Sequence, residues 1–175
     1  EACGTGTVPT TSTTMCLAVG DGLAIALMEA RDFTPENFRE FHPGGKLGAQ
    51  LSRVCDLMHT GDAVPLVGTN TPMSDVLLTI SQKGFGVAAV LDDDHQLVGV
   101  VTDGELRRHM DGLLDRTAGE VMTKDPRTVG PDILAEAAVA EMTGKITCLF
   151  VVAPHGSQRV AGVLHIHDCL RAGVV

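Results

Sequence analysis

Apolar residues follow two different patterns along the chain. Near its start, a run of hydroxyl residues at 10–14 precedes a long Ala- and Leu-rich stretch that ends near Arg31, which is typical of a capped helix. This stretch is apolar nearly all round, so we expect the helix to be buried on several sides, by further chain or by a second copy. Thr34 and Pro35 favour a second, short helix, and the His-Pro-Gly-Gly piece at 42–45 ends it.

From Val54 onward a pattern of strands and helices occurs twice. Residues 56–60 resemble residues 120–124, and each copy continues with an amphipathic helix, a short apolar strand at 86–91 or 147–152, and a closing strand, at a spacing of about 63 residues. The order strand, helix, strand, strand, helix predicts an α/β (α+β) fold. We expect one pseudo-symmetric module in which the helices lie between two small sheets and both apolar strands are buried.

Composition and charge narrow the possible partners. The formal net charge is -9, and an acidic surface repels phosphate backbones, so we expect no nucleic-acid partner. The five cysteines form no CxxC pair, which favours small buried thiols in a reducing cytoplasm. We find no secretory signal and no apolar run of transmembrane length, and therefore expect a cytoplasmic protein with no membrane partner.

Each copy closes on a short motif that carries candidate chemistry. The first has Gly, two apolar residues, Thr102, two further residues and Glu105, and the second has His165 and Asp168 at the matching places. Together with the order of elements, this motif closely resembles the CBS domain, which works in tandem pairs. In that family the place of Thr102 or His165 meets a ligand phosphate, and the place of Glu105 or Asp168 accepts from ribose hydroxyls. The resemblance therefore implies a nucleotide or nucleotide-sugar ligand.

The chemistry of the four side chains fits that implication only in part. A hydroxyl and free N–H groups at a helix N-terminus suit a phosphate, and an imidazole donates to phosphate more strongly when it is protonated. We expect the two pairs to lie at opposite ends of one cleft between the repeats. Because Glu105 and His165 depart from the family's Asp and Ser or Thr, we expect weak or unusual ligand choice. Helix capping by Thr102 and Glu105 is a competing interpretation, as is a hydrogen-bonded loop role for His165 and His167.

No metal or cofactor is expected. His165 and His167 stand at i and i+2, share no helix face and have no third ligand nearby in the sequence, so they do not predict a zinc site.

The first segment resembles the end of a sugar isomerase (SIS) domain, which is a doubly wound α/β fold. The resemblance rests on Glu-Ala-Cys at 1–3, the Thr- and Ser-rich run at 9–14, and Phe-His-Pro-Gly-Gly-Lys-Leu-Gly at 41–48. Followed by two CBS repeats, these pieces resemble the family of arabinose-5-phosphate isomerases, and we expect the chain to be a piece of a longer protein. The predicted organisation is a helical SIS remnant, a first repeat and a second repeat, over residues 1–51, 52–113 and 114–175.

This second resemblance implies an aldose–ketose isomerase. The family interconverts ribulose 5-phosphate and arabinose 5-phosphate, feeding synthesis of the lipopolysaccharide sugar Kdo. Moving a proton between carbons 1 and 2 needs a base and an oxyanion stabiliser, and the resemblance places Glu1 and His42 at that active site. We expect this chain alone to be inactive, because a site without its phosphate cradle loses positioning.

The role of the CBS pair leaves three possibilities open. The leading one is a regulatory pair attached to the isomerase in a homo-oligomer. The second is a structural pair that only stabilises the oligomer and binds no ligand, and the third is a stand-alone sensor.

Overall fold

The computed structural model describes residues 1–41, 48–49, 51–142, 144, 146–153 and 158–174. His42 therefore lies outside the described residues. The chain divides into two compact units, Glu1–Gly48 and Ala49–Val175. The helices are α1 (Thr11–Ala30), α2 (Pro35–Phe41), α3 (Val54–Leu57), α4 (Met73–Lys83), α5 (Asp103–Arg108), α6 (Ala118–Val121), α7 (Ala135–Glu141) and α8 (Ile166–Arg171). The strands are β1 (Leu66–Gly68), β2 (Val87–Leu91), β3 (Leu97–Thr102), β4 (Thr123–Lys124), β5 (Thr128–Val129), β6 (Cys148–Val152) and β7 (Val160–His165).

The first unit consists mainly of α1, whose apolar side chains are exposed. No residue of α1 is buried, and Leu17 and Leu23 are 70% and 61% exposed. The expected burial on several sides is therefore not met within this unit, because α2 has only 7 residues and cannot cover a helix of 20. The predicted start of α2 is confirmed: the Asn37 N–H donates to the Thr34 hydroxyl at 3.4 Å.

The helix α1 is also long and apolar enough to cross a membrane by length and composition alone, with a mean hydropathy of 1.4. The expectation that no apolar run reaches that length was wrong. A core helix of a soluble protein passes the same test, so this property assigns no membrane by itself.

The second unit contains two small mixed sheets, one for each repeat. Their strand orders are β1-β2-β3-β4 and β5-β6-β7. In each sheet a parallel pair is followed by an antiparallel pair. The predicted order is confirmed as β1, α4, β2, β3, α5 in the first repeat and β5, α7, β6, β7, α8 in the second.

The two repeats exchange short extended segments at one edge of each sheet. Strand β4 pairs with β3 of the first repeat, and His59 forms an isolated antiparallel bridge with Val163 in β7. A Cβ atom on Gly99 would lie 2.9 Å from the carbonyl oxygen of Thr123, and one on Gly162 would lie 2.6 Å from that of His59. The glycine of each closing motif is therefore required by the close approach of an exchanged segment.

The two sheets face each other, and the helices pack on their outer faces. In β2, Ala88 and Val90 pack in the core of their own repeat, whereas Val87 and Ala89 belong to a cluster that includes Phe150 of the opposite sheet. Strand β6 alternates between two cores in the same way. Both central strands are buried, as predicted. The prediction that helices lie between the sheets was wrong, because a strand buried on both faces does not indicate which face meets the helices.

The cysteines are free thiols in different surroundings. Cys169 is buried and Cys148 is half-buried, but Cys16 and Cys55 are exposed, so the expectation of buried thiols holds only in part. Burial raises the pKa of the Cys148 thiol to about 12, which makes it a poor nucleophile at neutral pH.

Candidate ligand-binding site

The first closing motif forms a complete helix cap. Thr102 ends β3, and its hydroxyl oxygen accepts from the Gly104 N–H at 3.2 Å. The Glu105 carboxylate in turn accepts from the Thr102 N–H at 3.1 Å and from the Thr102 hydroxyl. This reciprocal pattern is a capping box, which satisfies N–H groups that the helix leaves unpaired. Thr102 and Glu105 therefore both stabilise the start of α5.

Glu105 is the buried polar residue of the described core, at 4% exposure. Its other carboxylate oxygen accepts from the Thr123 hydroxyl at 2.7 Å and from Arg108 at 2.6 Å. Burial acts to raise the pKa of Glu105, but hydrogen bonds from Thr102 and Thr123 and the charge of Arg108 outweigh it and leave the pKa below its usual value. Glu105 is thus an ionised carboxylate, and both of its oxygens already accept hydrogen bonds from protein groups.

The second closing motif repeats the side-chain cap, the arginine contact and the contact with the exchanged segment, using other side chains. His165 ends β7 and caps α8, where its Nδ1 accepts from the His167 N–H at 3.1 Å. One oxygen of Asp168 lies 2.9 Å from Nε2 of His59, and the other accepts from Arg171 at 2.7 Å. Burial, and then the neighbouring His167, lower the pKa of His165, although Asp168 acts in the opposite direction. A neutral His165 agrees with its role as an acceptor in the cap.

A cavity of about 770 Å³ opens at the first closing motif and is lined by both repeats. Its apolar walls come from Phe85, Val87, Val100, Ile146 and Phe150. Its polar lining includes Thr102, Arg107, Arg108, Thr123, Arg127 and Thr147, together with Asp103, Glu105 and Asp125. Cations and hydroxyls beside apolar walls suit a ligand that joins a flat ring to an anionic group.

The structure brings only two of the four predicted ligand residues to this cavity. Thr102 and Glu105 line it, whereas His165 and Asp168 are absent from its lining and belong to the equivalent position in the second repeat. The two pairs therefore do not share this cavity, because the pseudo-symmetry gives each closing motif its own position. Ligand binding by these four residues stays a prediction.

Glu1 binds the start of α1. Its carboxylate accepts from the Thr10 N–H at 2.6 Å and from the Ser12 N–H at 3.3 Å. Hydrogen bonds from Ser12 and then Thr10 lower the pKa of Glu1 to about 2, so in this arrangement it is a weak base. A catalytic role for Glu1, or for His42 outside the described residues, stays a prediction.

Several residues of the two motifs were not singled out from the sequence. Thr123 and Arg108 bind the Glu105 carboxylate. His59 and Arg171 bind the Asp168 carboxylate. The repeat itself could have revealed them, because aligning residues 56–60 with 120–124 places His59 opposite Thr123. Among the described residues, no group of three or more His, Cys, Asp or Glu side chains is arranged to hold a metal ion.

The exchanged segments, facing sheets and paired helix caps define a tandem CBS module. This chain belongs to the CBS domain family, whose model matches residues 54–112 and 118–174. Over its whole length it is 44% identical to an arabinose 5-phosphate isomerase, KdsD of Yersinia pestis, of which it covers 54%. The chain thus spans about half the length of the curated relatives it matches.

Solved structures give the same fold. A CBS domain-containing protein of unknown function from Bacillus anthracis str. Ames Ancestor superposes with a TM-score of 0.62 at 21% identity, covering 73% of this chain and 96% of that one. The CBS-pair protein CBSX2 from Arabidopsis thaliana superposes with a TM-score of 0.59 at 26% identity, covering 70% of this chain and 94% of that one. CBSX2 has also been solved in complex with AMP; that structure superposes at 25% identity with a TM-score of 0.59, covering 70% of this chain and 96% of that one.

Proposed function

We propose that this chain is the ligand-responsive CBS pair of an arabinose-5-phosphate isomerase, acting in the cytoplasm as part of a homo-oligomer. The parent enzyme would interconvert ribulose 5-phosphate and arabinose 5-phosphate for Kdo and lipopolysaccharide synthesis. The support is 44% identity along the entire chain to an isomerase of which the chain covers 54%. Free thiols and a phosphorylated sugar as substrate both favour the cytoplasm.

The ligand of the pair is, on this proposal, a nucleotide or a nucleotide-sugar bound in the cavity at Thr102. The observation that carries it is the lining of that cavity, which sets Arg107, Arg108 and Arg127 beside apolar walls from both repeats. Guanidinium groups suit phosphate oxygens, and apolar walls suit a base. The AMP complex of CBSX2 supports the same class of ligand.

Regulation requires that the ligand prefer one state of the attached enzyme. Because both repeats line the cavity, a ligand there contacts two parts of the module at once and can favour one arrangement of them. The coupling free energy between the cavity and the active site then equals the difference between the ligand's binding free energies in the two states.

The test of binding is calorimetric titration of the chain with AMP, CMP and a CMP-linked sugar. We expect at least one to bind, and Arg107→Ala and Arg127→Ala each to weaken that binding about tenfold, as expected for loss of a charge-assisted hydrogen bond. Lys124→Ala is the matched control, because Lys124 is an exposed cation of the same region that does not line the cavity. Equal effects of all three substitutions would count against the cavity as the site.

A structural pair that only stabilises an oligomer and binds no ligand is the alternative, and one observation favours it. The Glu105 carboxylate has donors from Thr102, Thr123 and Arg108, so this motif is satisfied without a ligand. No heat of binding and no rise in melting temperature with any of the three nucleotides would favour this alternative.

The isomerase assignment has its own test. The polypeptide of the complete reading frame should convert ribulose 5-phosphate to arabinose 5-phosphate, whereas the present chain alone should not exceed a buffer control. Inactivity of the complete polypeptide on both sugars would exclude the assignment, whatever the CBS pair binds.

A further inference from the structure

Strand register relates the two closing motifs residue by residue. Thr102 pairs with Val87 at the start of β2, and His165 pairs with Cys148 at the start of β6. Thr102 and His165 therefore hold equivalent positions, with Gly104 and His167 two residues further on.

The exchanged segments obey the same relation. Thr123 pairs with Val100 in β3, and His59 bridges to Val163 in β7. Val100 and Val163 are themselves equivalent, since each lies two residues before the end of its strand. His59 therefore occupies in the second position the place that Thr123 occupies in the first.

The polar frame is the same at both positions. Arg108 donates to Glu105 at 2.6 Å, and Arg171 donates to Asp168 at 2.7 Å. Each carboxylate also has a partner on the exchanged segment, at 2.7 Å in the first and 2.9 Å in the second. The positions consequently share an arginine on the carboxylate and a partner on the exchanged segment, and they differ in the size of their side chains.

That difference in size always has the same direction. The first position has the small residues Thr102, Gly104 and Thr123, and the second has His165, His167 and His59 in their places. One further substitution follows from the register of β2 and β6: Ile146 precedes Cys148 by two residues, as Phe85 precedes Val87. The second position therefore has three imidazoles where the first has small residues, and they contact the ring of Phe85, which also lines the first cavity.

The four rings contact one another in a continuous series. His59 meets Phe85 edge to face with ring centroids 5.0 Å apart, and Phe85 lies 6.2 Å from His165. His165 meets His167 edge to face at 4.7 Å. These separations are those of packed aromatic pairs. The rings therefore form one connected series at the second position, in which His167 is exposed and the His59 side chain is 39% exposed.

We propose that this four-ring cluster closes the second of two equivalent ligand positions, so that the module takes one nucleotide, in the cavity at Thr102. The inference rests on the proposed function and specifies its stoichiometry. The charges agree with it: the cap needs His165 as an acceptor, and its lowered pKa keeps it from serving as a cation for phosphate at neutral pH.

The experiment compares AMP stoichiometry in the chain and in a variant whose second position is rebuilt on the pattern of the first. The variant combines His59→Thr, His165→Thr and His167→Gly, and a Thr at 165 can still cap α8. Phe85 is left in place because it also lines the first cavity. At pH 7.5, calorimetry should give one AMP per wild-type chain and two per chain of the variant. The reverse variant, Thr102→His with Gly104→His, should bind none.

The ring signals of His59, His165 and His167 in NMR spectra provide a second measurement. The His167 signal should stay unshifted when AMP binds to the wild-type chain, whereas those of His59 and His165 report the occupied first cavity through their contact with Phe85. Because the triple variant could fail to fold, the single variants His59→Thr and His167→Gly are measured as well, and each should gain a weak second binding event. Circular dichroism checks that every variant retains its fold.

The outcomes separate this inference from the proposed function. Two AMP per wild-type chain, or a folded triple variant that still binds only one, overturns the inference and leaves the proposed function standing. A wild-type chain that binds no AMP counts against AMP as the ligand of the first cavity. In that case the triple variant still tests the inference. If the triple variant binds one AMP and the wild-type chain binds none, closure by the rings is supported. If the triple variant also binds none, the result counts against closure.

Discussion

At the residue scale, the glycines of the closing motifs show how one missing side chain allows two segments to cross. Gly162 and Gly99 each lie under the backbone of an exchanged segment. A Cβ atom at either place would meet backbone atoms, which cannot move aside as a flexible side chain can.

Gly162→Ala should lower the free energy of unfolding by about 1–3 kcal/mol, the usual cost of overpacking. The reason is that the new Cβ would lie 2.6 Å from the His59 carbonyl oxygen. Urea unfolding measures the change. Gly130→Ala is the matched control, since a Cβ there meets nothing within 4 Å and its effect should stay within about 0.5 kcal/mol. Equal unfolding midpoints for the two variants would contradict the prediction.

Glu105→Gln should destabilise the module by about 1–3 kcal/mol at pH 7, because a buried, hydrogen-bonded carboxylate loses its charge. The pKa of Glu105 is lowered in the folded state. Its contribution is therefore complete above the unfolded-state pKa of about 4.3 and is lost as the pH falls through the folded-state value. The free energy of unfolding of the variant should therefore fall less steeply than that of the wild-type chain as the pH is lowered.

The control for that substitution is Glu120→Gln. Glu120 forms the same kind of capping box, with Thr117, but is exposed, so we expect a smaller loss. Denaturant unfolding between pH 3 and pH 7 makes the comparison. A decline with acid that is identical in the wild-type chain and the Glu105 variant would show that Glu105 is not the titrating group.

At the scale of elements, α1 is the helix whose composition and surroundings disagree most. Its 20 residues are largely apolar, and none is buried. Burial of apolar surface stabilises by roughly 25 cal/mol per Å², so a second copy of the chain that covers this helix would stabilise it.

The chain should therefore self-associate through α1, and Leu17→Glu combined with Leu23→Glu should shift it to the monomer. These two leucines are 70% and 61% exposed. Sedimentation velocity measures the mass. Leu78→Glu is the control, because Leu78 is 58% exposed but lies on α4. A monomeric wild-type chain in which hydrogen exchange shows α1 to be protected would contradict the prediction.

At the scale of the whole second unit, the facing sheets join the two repeats into one folding unit. Phe150 is 2% exposed and belongs, with Val87 and Ala89 of the other sheet, to the cluster between the sheets. Neither repeat has a complete core when that face is uncovered.

Phe150→Ala should cost about 3–5 kcal/mol, as expected for a buried aromatic residue, and should destabilise both repeats together. Hydrogen exchange measures β2 and β6 separately, and both should lose protection by the same amount. Leu78→Ala, at an exposed position, should change neither. Loss of protection confined to the second repeat would show that the repeats unfold independently.

The sequence by itself determined the repeat, the order of its elements, the burial of β2 and β6 and the membership of the CBS family. These features follow from local periodicity and from motifs that occur twice, which need no knowledge of distant contacts. The sequence also placed Thr102, Glu105, His165 and Asp168 at equivalent helix starts, where the structure has them.

Only the tertiary structure decided the order of layers, the partners of the two carboxylates and which closing motif borders the cavity. His59 and Asp168 are 109 residues apart in the chain yet 2.9 Å apart in space, and local periodicity does not report such a contact. A strand that is apolar on both faces likewise fits against helices or against a second sheet. Those choices depend on which surfaces meet when the two repeats pack, and that packing set Thr102 and Glu105 at the cavity and Asp168 beside His59.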